Sequence, residues 1–179
     1  MSRIKSAWEL ALEKTKDMDF DEEKLRKDQL KKDGMALAGR YLSNVDMPYD
    51  EMVQKLGAVK KEDAELFRSG MAEVVVSNIV LPQDELFVMR FERLSDVARA
   101  LDPASGDLVG QLKSFLEGYL QERENFIINI RQQIQDQVDP TQYTQVIQQN
   151  LKRLDAKYQE TLDTTKQQLW KNFTTQSRI

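Results

Sequence analysis

The chain contains no histidine and no cysteine. Those two absences remove the usual general base near neutral pH, the thiolate nucleophile, the disulfide and nearly every transition-metal ligand set. They also exclude di-iron helical bundles, which need a Glu-x-x-His pair. Any chemistry must run on carboxylates, lysines, tyrosines or hydroxyls. Glycine and proline are scarce, seven and four in 179 residues, which leaves few positions for tight turns. Sheet-rich folds need many such turns, whereas long helices do not. No apolar run approaches the roughly 18 residues of a membrane span. The longest, Met71 to Leu81, is interrupted by Glu73, Ser77 and Asn78. With no apolar stretch of signal-peptide length at the N terminus, a cytoplasmic protein without membrane contact is expected.

What is present points to helices. Charged residues make up 31% of the chain, above the globular average, yet the net charge is only −4. That mild balance argues against a general nucleic-acid binder. The charge is unevenly spread: residues 41–101 and 102–140 each carry four net negative charges, and 141–179 carries three net positive ones. An acidic segment followed by a basic one suits two helices that pair with each other.

Each of the four prolines follows or precedes an acidic residue, as at Asp46-Met47-Pro48, Pro82-Gln83-Asp84, Asp102-Pro103 and Asp139-Pro140. Proline in a first turn loses no hydrogen bond and a nearby Asp can cap free N–H groups, so each reads as a helix start. Ile4, Trp8, Ala11 and Leu12 form one stripe over residues 3–16, and Asp19-Phe20-Asp21-Glu22 has the form of a capping box that opens a charged helix. Residues 1–45 are thus an N-terminal helical arm, of which 1–33 has little to offer a core beyond Leu25 and Leu30 and must borrow a surface to stay ordered. Residues 46–106 make a small central helical layer: a short helix over 48–56, then 61–81 and 82–101. Val74-Val75-Val76 has strand character, but apolar spacing of three and four on both sides favours helix.

Residues 107–179 carry the clearest pattern. After Asp139-Pro140, Tyr143, Ile147, Leu151, Leu154, Tyr158, Leu162, Thr165, Leu169 and Phe173 recur at an eleven-residue period, which keeps a helical stripe straight. With the stripe over 108–138 this predicts a long antiparallel helical hairpin, a kink at Asp139-Pro140 in one continuous helix being the alternative. The fold class is all-α.

Candidate sites are few. Gly34 to Tyr41 has the glycine spacing of a phosphate loop but lacks its lysine and hydroxyl residue, so Gly34, Ala38 and Gly39 are assigned to close helix packing. Glu62, Glu65, Glu73, Asp84, Glu85, Glu92 and Asp96 are the raw material of a magnesium site, since magnesium prefers oxygen ligands. Glu62 and Glu65 match the first half of the ExxE…ExxD set of all-helical nucleotide pyrophosphatases, while Glu92 to Asp96 is one residue too long for the second half. Arg90, Arg93 and Arg99 offer a phosphate groove, but Glu92 and Asp96 on the same helix favour a solvated, salt-bridged face. Trp8 and Trp170 are each a core anchor or an interface anchor.

Ser6-Ala7-Trp8-Glu9-Leu10-Ala11-Leu12-Glu13-Lys14-Thr15 and Gly34-Met35-Ala36-Leu37-Ala38-Gly39-Arg40-Tyr41-Leu42 resemble the start of an uncharacterised family of small all-helical bacterial proteins. The resemblance implies a bacterial cytoplasmic protein and transfers no functional residue. The function expected is therefore a non-enzymatic helical interaction or assembly module with no catalytic residue, cofactor or metal. A hairpin stripe too long for one chain to cover predicts a homodimer, with Trp8, Leu151, Leu154, Tyr158, Leu162, Leu169 and Phe173 as candidate interface residues and another protein as a further partner. The alternatives are a magnesium-dependent nucleotide hydrolase using the carboxylates of 62–96, and a weak binder of nucleic acid or an anionic surface through the basic C-terminal helix.

Overall fold

A computed structural model of the chain describes residues 7–134 and 143–176, with side chains over 22–133 and 144–175. Six helices and no strand occur among them: α1 (Ala7–Ser43), α2 (Tyr49–Gly57), α3 (Ala64–Asn78), α4 (Phe87–Leu101), α5 (Pro103–Ile134) and α6 (Tyr143–Gln176). The chain is all-α. Val74, Val75 and Val76 lie within α3, where the first two are buried. Burial on a helical face outweighs their preference for pleated backbone.

The tightest contact in the fold joins α1 to α3. A Cβ placed on Gly34 would lie 1.9 Å from the Phe67 carbonyl oxygen, and one on Gly70 would lie 2.0 Å from that of Lys31. The two helices therefore meet backbone to backbone, which only glycine permits on both sides. Ion pairs of Arg26 with Asp63 and of Lys31 with Glu73 flank the crossing. Beyond it Leu37, Ala38 and Tyr41 enter the main core with Phe67, Met71 and Val75 of α3, Ile79 just after it, and Phe91, Leu94 and Val97 of α4. Gly39 has open space around it and takes no part in the crossing.

Asp19-Phe20-Asp21-Glu22 does not open a helix, because α1 runs through it without a break. No glycine or proline lies between Ala7 and Asp33 to end the helix, and an acid-rich tetrad is compatible with a helix interior. The second half of the expected arm is thus continuous with the first and belongs to the core. Pro48 flanks α2 without a side-chain cap, so Asp46 does not serve as one. Pro82 is buried in an extended connection, and α4 begins only at Phe87. The Asp84 carboxylate accepts the Leu86 N–H at 3.0 Å, which holds the intervening turn. Asp102-Pro103 does start a helix: the Asp102 carboxylate accepts the Ser105 N–H at 2.8 Å and its hydroxyl at 2.6 Å. Asp139-Pro140 lies outside the described residues.

Helices α5 and α6 pair in reverse order. Asn172 donates to Ser105, the Tyr119 hydroxyl to Asp155, and the Tyr158 hydroxyl to Glu122. Those bonds make α5 and α6 an antiparallel pair. Its stripe is covered within the chain. Leu162, Leu169 and Phe173 join the main core, while Leu151, Leu154 and Tyr158 close a second cluster with Tyr119. The expectation that one chain cannot cover the stripe is corrected here, because α6 packs on α3 as well as on α5. Ion pairing contributes little, since Lys157–Glu122 at 3.6 Å is the only α5–α6 salt bridge among the described residues.

Two tests follow from this packing. Gly34→Ala should cost about 1–3 kcal/mol or more of overpacking energy in urea denaturation. Gly118→Ala, in open space on α5, should stabilise by about 0.5–1 kcal/mol. The second test concerns Tyr41 and Tyr158. Burial, reinforced by its bond to Asp96, pushes the Tyr41 phenol from its ordinary value of 10.0 up to about 12. The bond to Glu122, with burial, does the same for Tyr158, again up to about 12. Burial and Asp155 push Tyr119 upward as well. A raised folded pKa means that the stabilisation is complete below the unfolded value and is lost as pH rises through the folded one. Unfolding free energy should therefore decline between pH 10 and 12, and Tyr41→Phe with Tyr158→Phe should flatten that decline.

Candidate functional site

The carboxylates of 62–96 do not converge. Glu62 lies 3.8 Å from Arg26, Glu73 pairs with Lys31 at 2.6 Å, and Glu92 pairs with Lys113 at 2.8 Å. Asp96 accepts the Tyr41 hydroxyl at 2.8 Å and the Arg99 guanidinium at 3.3 Å. Glu65, Asp84 and Glu85 stand apart from these pairs. Among the described residues no group of three or more acidic side chains is placed to hold a metal ion. The spacing mismatch at Glu92 and Asp96 has its structural counterpart in their two separate cations.

Of the three arginines, Arg99 forms a salt bridge with Asp96 and Arg90 is exposed, as a solvated face predicts. Arg93 does something else. Its guanidinium donates to the carbonyls of Tyr41 at 2.7 Å, Asn44 at 2.8 Å and Met47 at 3.0 Å, and lies 3.9 Å over the Tyr41 ring. A planar five-donor fork here satisfies the carbonyls left over where α1 ends. Local sequence gave one indirect signal, since Ser43-Asn44 has neither the glycine nor the proline that usually closes a helix.

The candidate interface residues divide in two. Leu151, Leu154, Tyr158, Leu162, Leu169 and Phe173 are all at most 8% exposed and line the chain's own core. They are corrected from interface to core, for the packing reason given above. The Trp8 side chain lies outside the described residues. Trp170 is 39% exposed on α6.

The structure instead places a groove where no local pattern announced one. It lies between α5 and residues 83–88, which connect α3 to α4 and begin the latter, and has a volume of about 730 Å³. Phe87, Val88, Leu120, Ile127 and Ile128 supply its apolar lining. Asp84, Glu85, Glu117 and Glu124 bring carboxylates to it, against Arg123 and Arg131. Ile128 on its lining is 45% exposed. Exposed Val80 and Leu86 line a separate, smaller cavity beside the connection. No local signal marks it, because its two walls, 83–88 and the face of α5, are brought together only by the fold.

Comparison with known proteins gives a family without a function. The model of a family of unknown function (DUF6657) matches residues 53–145. No curated protein and no solved structure matches the chain. Both walls of the groove fall inside the matched residues. The stretches 6–15 and 34–42, which carried the resemblance to an uncharacterised family, fall before them.

Burial of the stripe sets a further test. Leu154→Asp places an unpaired charge in the α5–α6 cluster and should cost several kcal/mol in denaturant unfolding. Gln149→Asp, at an exposed position, should stay within about 0.5 kcal/mol. Equal mild effects would show the stripe to be open to water.

Proposed function

The chain belongs to this family of unknown function, and we propose that it is a non-enzymatic helical interaction and assembly module that associates with a second copy of itself. The observation that carries this reading is the exposure of α1. Residues 22–29 are exposed, and Leu25 is 67% exposed. The most N-terminal ion pair from α1 to another helix, among the described residues, is that of Arg26. From Ala7 to Leu25 the helix therefore extends over about 28 Å ahead of that pair. Helices in water draw most of their stability from tertiary packing, and a stretch of this length alone is marginal.

Sequence supports a cover for it. Ile4, Trp8, Ala11, Met18 and Leu25 recur at steps of four, three, seven and seven, the spacing of a coiled-coil seam. Leu25 stands nine residues before Gly34, about 180° around the helix from the face that meets α3. An identical arm from a second copy offers the same seam, and closed two-fold pairing is the commonest form of such assembly. The carboxylates spent in separate ion pairs favour this reading over a magnesium-dependent hydrolase. No helix among the described residues is long and apolar enough to cross a membrane. The setting we propose is the bacterial cytoplasm that the family resemblance implies.

Light scattering at micromolar concentration should give twice the 20.8 kDa chain mass. Leu25→Asp should return it to the single-chain mass while cooperative unfolding of the core is retained, because that side chain is exposed in the single chain. A wild-type protein at 20.8 kDa throughout that range would remove the reading.

A further inference from the structure

We propose that the groove between α5 and residues 83–88 is a docking site for a cationic amphipathic helix of another protein. This deepens the interaction reading but does not rest on self-association, since no α1 residue lines the groove.

The first argument is shape. One wall is a single face of α5: Glu117, Leu120, Glu124, Ile127, Ile128 and Arg131 follow one another at helical steps. That face runs for four turns, about 21 Å at 1.5 Å per residue, which is the length of a helix of about 14 residues. The other wall is short, with Phe87 buried at its base. A long face opposed by a short wall leaves an open trough. Leu120, Ile127 and Ile128, at i, i+7 and i+8, set apolar contacts two turns apart along this face, where the apolar side of a docked helix can lie.

Charge decides the occupant. Four carboxylates meet the groove against two guanidiniums. Glu85, Glu117 and Glu124 enter no salt bridge among the described residues. The groove is thus an apolar floor under net negative charge, complementary to leucine and lysine on adjoining helical faces. A second copy docked groove to groove would bring two net-negative linings together, each with four carboxylates against two guanidiniums. Phosphate-bearing ligands meet the same repulsion.

The experiment uses the full chain and a fluorescein-labelled amphipathic probe peptide of about 14 residues, leucine on one face and lysine on the other. Its counterpart carries glutamate in place of lysine. Anisotropy should report binding of the cationic peptide and none of the anionic one. Glu117→Lys with Glu124→Lys should weaken binding by about tenfold or more, and Ile128→Asp by a similar factor. Glu160→Lys with Asp163→Lys, both exposed on α6, makes the same change in net charge as the double variant and should leave binding unchanged. Glu85→Lys, on the opposite wall, gives an independent reading should the double variant melt early. Equal affinity for both peptides, or binding indifferent to the groove variants, would overturn the proposal. A change in the chain's own solution mass caused by the double variant would also overturn it, by making a second copy the occupant. The α1 reading is separable, because Leu25→Asp should alter the mass without altering the peptide affinity.

Discussion

The contact of Gly34 with Phe67, and of Gly70 with Lys31, governs how the rest of the molecule is arranged. With two backbones in touch, α1 can sit on α3 in only one register, and side chains on either side of the crossing acquire fixed neighbours. Toward the C terminus of α1 that places Tyr41 under Arg93 and beside Asp96. Toward the N terminus it carries Leu25 round to the solvent side. One close approach therefore decides both what α1 gives to the core and what it leaves uncovered.

Polar side chains do a comparable job at two other places. Arg93 substitutes for a missing helix cap by taking carbonyls from Tyr41, Asn44 and Met47, and so ties α4 to the end of α1. Between α5 and α6, phenols meet carboxylates at Tyr119–Asp155 and Tyr158–Glu122. Each is a hydrogen bond at the margin of an apolar cluster, where the ring is buried among Phe115 and Leu154 and the hydroxyl reaches the rim. A tyrosine in that position pairs the hairpin in one register without the desolvation cost of a buried ion pair. Charges not used in this way collect elsewhere, and on α5 the unspent ones, Glu117 and Glu124, adjoin the groove.

The two surfaces that matter for interaction differ in origin. The exposed face of α1 is the one opposite its crossing with α3, where Leu25 lies. The groove is a consequence of the extended connection between α3 and α4, in which buried Ile79 and Pro82 delay the start of α4 to Phe87. Had α4 begun at Pro82, as the proline alone suggests, a helix would stand where the short wall is.

Periodicity and composition alone determined the helical class, the eleven-residue stripe of α6, the Asp102-Pro103 start of α5 and the role of Gly34. The period and the cap act through residues a few positions apart, and Gly34 is marked by its own missing Cβ although its contact, Phe67, is distant in sequence. Packing decided the rest. Leu151 to Phe173 read equally well as an interface or a core, because a stripe specifies that a face is covered and not by what. The third helix that covers it, α3, lies more than seventy residues away in sequence. Arg93 read as surface because its acceptors are carbonyls, which every residue carries and no sequence pattern marks. The groove arises only where Asp84 and Glu85 come to face Glu117 and Glu124, and that meeting depends on the α4–α5 turn at Asp102.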